Sequence, residues 1–172
     1  RHISALVTRY ALAYPDVRFR LVFNGKTSIQ TTGNGNRREV LTHLMGLDVA
    51  REMLEIQLND PEFKIMGFIS PTTVTRATRR ELTFFVNGRW VQDSSLSAAV
   101  VKAYQQYLPV GRYPLAVIFL EMNPKDVDVN VHPAKSEVRF RQSAPVFNAV
   151  QRAVRRGLLA YTPAPVSPQS TW

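Results

Sequence analysis

Residues 115–140 read LAVIFLEMNPKDVDVNVHPAKSEVRF. The first eight are almost wholly apolar, as expected of a strand buried on both faces in the middle of a sheet. The next part alternates. Asp126, Asp128 and Asn130 share one strand face, and Val127, Val129 and Val131 share the other, facing the core. The alternation stops at His132-Pro133. Proline fixes its own φ and cannot donate to a ladder, so the strand ends there. His132 is driven toward extended geometry by the proline that follows it. EVRF then resumes as a strand. Lys135 therefore stands on a short, stiff connection between two strands. A point charge on a long stem with a fixed base suits a phosphate oxygen. The plainer alternative is a solvated lysine.

Working outward, LEIQLND and FKIMGFIS read as two strands joined at Asn59-Asp60-Pro61. ELTFFVNGRWVQD reads as a strand, an Asn87-Gly88 turn and a short return strand. In SSLSAAVVKAYQQY, Leu96, Ala99, Val100, Ala103, Tyr104 and Tyr107 keep a helical stripe. A last helix over 145–160 puts Phe147, Val150, Val154 and Leu158 on one side, with Arg152, Arg155 and Arg156 on the other. Toward the N-terminus, Ile3, Leu6, Val7 and Tyr10 have helical spacing, ended by Pro15-Asp16. VRFRLVFNGKTSIQT reads as a hairpin turning at Asn24-Gly25. TTGNGN, at 31–36, lacks the ending of a phosphate-binding P-loop and reads as a loop entering a helix. Asn36 and Glu39 make an N-cap pair for that helix, which runs to Met45. A second short helix or turn covers Asp48 to Met53. PTTVTRATRR, 71–80, has three arginines and no acid and reads as an exposed basic loop. The tail from 161 is rich in proline and reads as a linker. The whole is α+β, with helices on one face of a mixed sheet.

The chain has 172 residues and is 45% apolar, enough for one domain or a domain plus part of another. It contains no apolar run of about 18 residues, so no transmembrane helix is expected. The first residue is not methionine, and the chain reads as a piece of a longer one. Cysteine is absent, which removes disulfides, thiolate metal sites and thiol nucleophiles. The net charge is +9, and residues 141–172 carry four basic and no acidic residues. Such a balance favours polyanionic partners, nucleic acid above all, against the alternative of a basic protein without one. His2, His43 and His132 lie in separate elements. Asp126 and Asp128 would stand about 7 Å apart with no further ligand cluster, so no metal site is expected. No nucleophile–base arrangement stands out, and no catalytic residue is assigned.

DVNVHPAKSEVRF resembles the signature of the MutL mismatch-repair family. PDVRFRLVFNGK resembles the last hairpin of that family's ATPase domain, TTGNGNRREVLTHLMG the entry to the next domain, and FFVNGRWVQD a strand following its basic loop. The resemblance implies that residues 1–32 are the C-terminal helix and hairpin of a GHKL ATPase domain. Residues 33–160 would be the transducer domain, of the ribosomal protein S5 domain 2-like fold, and residues 161–172 the start of a Pro-rich linker. It implies that Lys135, on the loop His132, Pro133, Ala134, reaches the ATP γ-phosphate. The fragment itself would be no enzyme and hold no cofactor. Its longer parent would be a weak GHKL ATPase using ATP and Mg.

The resemblance also implies sequence-independent DNA binding, carried here by Arg76, Arg79, Arg80, Arg89, Arg152, Arg155 and Arg156. Where some members have a further basic residue after the Asp following VNGR, this chain has QDSSL. Implied partners are DNA, the upstream ATPase domain in cis, the mismatch-recognition protein MutS and other repair proteins. The parent is expected to be a homodimer, the fragment a monomer, and the setting a bacterial cytoplasm, at the nucleoid when active. The alternative is an interaction module that couples ATPase state to repair partners with little DNA contact of its own.

Overall fold

The central apolar strand lies where its composition puts it. In the computed structural model, which describes residues 2–129 and 136–161, a five-stranded sheet is built from β3 (Leu54–Asn59), β4 (Phe63–Ile69), β5 (Leu82–Val86), β6 (Arg89–Val91) and β7 (Ala116–Met122). Its order is β3-β4-β7-β5-β6, so β7 is in the middle. β7 runs antiparallel to β4 and parallel to β5, which makes the sheet mixed. Its first five residues are all buried.

Alternation along the strands divides the core in two. Ile56, Ile65, Phe84, Val91, Ile118 and Leu120 face one side. They are covered by α4 (Ser94–Tyr104) and α5 (Ser143–Tyr161). Most of the expected helical stripes do this work: Leu96, Ala99, Val100, Ala103 and Tyr104 from α4, and Val150, Val154 and Leu158 from α5, are buried, while Tyr107, past the end of α4, and Phe147 are partly buried. The two helices thus share one face, as expected. The other face is covered as well. Phe68, Phe85, Val117 and Phe119 pack with Ala11 and Leu12 of α1 (His2–Ala13), Val40 and Leu41 of α2 (Arg37–Met45), and Ala50 of α3 (Leu47–Glu52). Phe85 and Phe119 stack at 4.9 Å, and the Arg37 guanidinium lies 4.3 Å over Phe119. Arg37 also donates to the Leu12 carbonyl, and Arg38 donates to the carbonyls of Ala50 and Met53. Burial lowers the Arg37 pKa, while Asp16 and Glu121 act against that. These two arginines tie the second helical layer together.

The N-terminal elements differ from their sequence reading in orientation. α1 buries Thr8, Ala11 and Leu12. Ile3, Leu6 and Tyr10, expected as its apolar stripe, are each more than half exposed, as is Tyr14. The hairpin forms from β1 (Arg20–Phe23) and β2 (Lys26–Gln30), with Asn24 and Gly25 both at positive φ. It stands in a separate two-stranded sheet, and Val22 and Phe23 are exposed. Asn36 caps α2 by accepting from Arg38 N. Glu39 does not close the box; it accepts from the N–H and hydroxyl of Thr32.

Candidate functional site

The DVDVNV stretch is less of a strand than its alternation suggests. Asp126 belongs to a 3-10 turn, and only Val127–Asp128 form β8, paired with β9 (Arg139–Phe140). Asp126 therefore does not share a strand face with Asp128. Its carboxylate lies 3.7 Å from Arg141, whose backbone N–H donates to the Asp126 carbonyl. Val127 and Val129 pack against the core, as expected of that face. Asn130, Val131 and the loop His132, Pro133, Ala134, Lys135 lie outside the described residues.

Both ends of that connection are fixed. β8 and β9 clamp its base. On the return side, Gln92 N donates to the Ser136 carbonyl at 2.7 Å, and Glu137 forms a parallel bridge to Gln92. Val138 is buried. Ser136 thus returns against the end of β6, the edge strand. There it lines a cleft of about 450 Å³ with Leu6 and Tyr10 of α1, Tyr14 just beyond that helix, and Arg89 and Trp90 of β6. Arg9 of α1 places its guanidinium 3.5 Å over the Trp90 ring. Burial lowers the Arg9 pKa; an arginine keeps its charge regardless.

The predicted arginines do not form one surface. Arg79 and Arg80 line a groove of about 650 Å³ beside β6, together with Arg9 and Arg139 and with the acids Asp93 and Glu137. Arg76 is near them in sequence but spends its charge on Glu81, 2.8 Å away. Arg89 is exposed just past the Asn87-Gly88 turn. At the other edge of the sheet, Arg152 and Arg156 line a cleft with Leu58 and Asn59 of β3. Arg152 pairs with Asp60, whose other oxygen accepts from the N–H groups of Glu62 and Phe63. Arg155 and Arg156 are exposed on α5.

The basic loop 71–80 is held more firmly than a loop reading implies. Arg76 and Tyr113 exchange backbone hydrogen bonds. Arg112 donates to the Thr75 hydroxyl at 2.8 Å and to its carbonyl at 3.2 Å. Arg79 lies over the Tyr113 ring at 5.2 Å. At the loop's root, Ser70 exchanges bonds with Leu115, and its carbonyl accepts from the Tyr104 hydroxyl. Sequence reasoning missed Arg9, Trp90, Arg112 and Arg139. Only Trp90, beside the VNGR turn, carried any signal, as an aromatic in a short edge strand. His43 bonds the Gln30 carbonyl. Among the described residues no group of three or more His, Cys, Asp or Glu is arranged to hold a metal ion, and no helix is long and apolar enough to cross a membrane.

Residues 41–159 match the family described as DNA mismatch repair protein, C-terminal domain. The chain is 41% identical to a DNA mismatch repair protein MutL of a Geobacillus species over 183 residues, covering 99% of this chain and 30% of that protein. It is 44% identical to the MutL protein of Geobacillus kaustophilus over 164 residues, covering 95% and 26%. The chain therefore spans about a third or less of the length of these relatives. Among solved structures, the N-terminal domain of a DNA repair protein superposes with a TM-score of 0.72 at 19% identity, over 92% of this chain and 52% of that one. The Aquifex aeolicus MutL ATPase domain complexed with ADP gives 0.52 at 16% identity, over 85% and 45%. The ATPase domain of Thermus thermophilus gyrase B gives 0.53 at 16% identity, over 92% and 47%. The fold is the α+β, ribosomal protein S5 domain 2-like arrangement shared by these ATPase assemblies, and the chain belongs to the MutL family of DNA mismatch repair proteins.

Proposed function

We propose that this chain is the part of a mismatch-repair ATPase that joins nucleotide state to DNA binding. In this reading the longer protein is a weak GHKL ATPase that uses ATP and Mg, and Lys135 supplies a charge to the γ-phosphate. ATP offers that terminal group and ADP does not, so the contact discriminates between them. One observation carries the reading. The connection that holds Lys135 returns at Ser136 into the same cleft as the outward apolar residues of α1. Leu6, Tyr10 and Tyr14 are half exposed there, next to the edge strand that anchors Ser136. A stripe of that kind suits the docking of a neighbouring domain, and the relatives extend well beyond this chain. An upstream ATPase domain seated on it would bring its nucleotide close to the connection.

The DNA-binding part of the reading rests on Arg79 and Arg80, exposed beside the groove of β6. Arg89, Arg155 and Arg156 are further exposed candidates. Arg76 and Arg152 already face carboxylates, so a phosphate gains less from them.

Two measurements test the two parts. In the full-length protein, Lys135→Ala is expected to lower ATP turnover while ATP still binds; unchanged turnover and binding would make the connection structural. For DNA, log K against log salt is expected to lose about 0.9 in slope for each phosphate contact removed by Arg79→Ala or Arg80→Ala. An unchanged slope in both variants would remove the loop from the DNA interface.

A further inference from the structure

The groove that holds Arg79 and Arg80 does not end at Arg79. The same side chain lines a second cleft, of about 360 Å³, between the C-terminal half of α4 and the connection 105–114. Two more cations line it, Lys102 and Arg112, and no carboxylate does. Lys102 sits in the last turn of α4, is exposed and makes no salt bridge among the described residues. Arg112 is exposed, but its guanidinium is held in place by Thr75. Arg79 is likewise oriented, over Tyr113. The nearest acid in the sequence of the loop, Glu81, is occupied by Arg76.

We propose that this second cleft is a phosphate-contact site for the backbone of duplex DNA, with Lys102 and Arg112 as contact residues that continue the track from Arg80 through Arg79. The inference rests on the DNA-binding reading above. Three cations without a facing acid make a local field that attracts a polyanion. Arginine's planar fork matches phosphate oxygens, and a guanidinium already braced by a neighbour loses little freedom when a phosphate arrives. An acidic peptide would meet the same charges. The cleft's continuity with the Arg79–Arg80 groove favours a ligand whose charges repeat along a line, as DNA phosphates do.

The test is the salt dependence of binding of a fluorescent DNA duplex by the 172-residue chain and by its variants. Lys102→Ala with Arg112→Ala is expected to lower the slope by about 1.8, or 0.9 per contact. Between 50 and 200 mM salt, the unsubstituted chain then loses about twelvefold more affinity than the double variant. Lys102→Ala alone breaks no side-chain hydrogen bond or ion pair among the described residues and is expected to lower the slope by about 0.9. Thr75→Val removes one of the two bonds that hold Arg112 but keeps its charge, and is expected to leave the slope unchanged. A drop in Thr75→Val equal to that in Arg112→Ala would assign the effect to loop structure and overturn the proposal. If the double variant keeps the full slope while Arg79→Ala and Arg80→Ala lower it, the DNA reading stands and this site is lost. If the unsubstituted chain shows no salt-dependent binding, both fall; binding of an acidic peptide with no DNA binding would give the cleft a protein partner instead.

Discussion

Tyr104→Phe removes one hydroxyl and leaves the ring in place. The ring is buried in the core beneath α4, so no cavity opens. What is lost is the bond to the Ser70 carbonyl at 2.5 Å, in a fully buried setting. The other polar groups of Ser70 are taken up by Leu115: Ser70 N donates to its carbonyl, and Ser70 Oγ accepts from its N–H. Neither of these bonds supplies a donor to the Ser70 carbonyl, so losing the Tyr104 hydroxyl takes away its hydrogen-bond partner. An orphaned buried acceptor costs about 1–3 kcal/mol. With an m-value near 2 kcal/mol/M, the urea midpoint should fall by about 0.5–1.5 M at pH 7, with m unchanged. The pH dependence gives a second reading. Burial pushes the Tyr104 phenol well above its ordinary value. Its unfolded value is about 10. The folded state therefore holds this proton more tightly, and the associated stability is complete below pH 10 and is lost as pH rises above it. The variant lacks that term, and the other tyrosines cancel in the comparison. The gap between the two proteins should be level from pH 6 to 9 and close above pH 10, by up to about 1.4 kcal/mol per pH unit. A gap below about 0.5 kcal/mol at pH 7, or one still level at pH 11, would refute the assignment of a buried, singly satisfied carbonyl.

Two further substitutions probe the scaffold. Gly67 lies in β4 against the central strand, and a Cβ there would run into the Val117 carbonyl and come within 3.0 Å of Ile118 Cα. Both neighbours are backbone, so Gly67→Ala is expected to cost about 1–3 kcal/mol in urea unfolding; a loss no greater than for Gly157→Ala, whose Cβ would meet mainly the side chain of Ile56, would contradict this. Asp93 caps α4 by accepting from Leu96 N at 2.8 Å, so Asp93→Ala should cost about 1 kcal/mol, measured by thermal unfolding, and Asp93→Ser should recover most of it.

Where a segment's own pattern decided its burial, the sequence was enough. LAVIFLEM has no polar face, so it belongs in the centre, and β7 is there. The stripes of α4 and α5 each point to one neighbour and are buried there, except that Tyr107 falls beyond the end of α4 and Phe147 is only partly buried. α1 misled because a helical stripe says which residues want cover but not where the cover comes from. Its buried side is the small, mixed set Thr8, Ala11 and Leu12, while Ile3, Leu6 and Tyr10 face outward. The second layer over the sheet was equally hidden, since nothing in the sequence pattern marks Arg37 and Arg38, which bind carbonyls and aromatic faces there. The arginines of the candidate interface show the same limit. Composition marks 76–80 as basic, but only geometry separates Arg76, neutralised by Glu81, from Arg79 and Arg80.

β6 is where these features meet. It has three residues, and its neighbours on the edge are not strands. Trp90 is covered by Arg9 from α1. Gln92, directly after β6, holds Ser136 and Glu137 at the return of the HPAK connection, and Asp93 starts α4. α4 in turn carries Lys102, and its Tyr104 pins the root of the loop bearing Arg79 and Arg80. Under the proposed function, an upstream domain seated against the exposed residues of α1 would act on α1 first. It would then reach Ser136 and the basic groove through this one short strand rather than through the close-packed sheet core. A contact made of a cation on a ring and a ladder made of single hydrogen bonds can be exchanged at small cost, whereas the interdigitated core on either face of β7 cannot. The position of α1 on β6 is therefore the contact open to exchange, and the sheet with α4 and α5 is the frame around it.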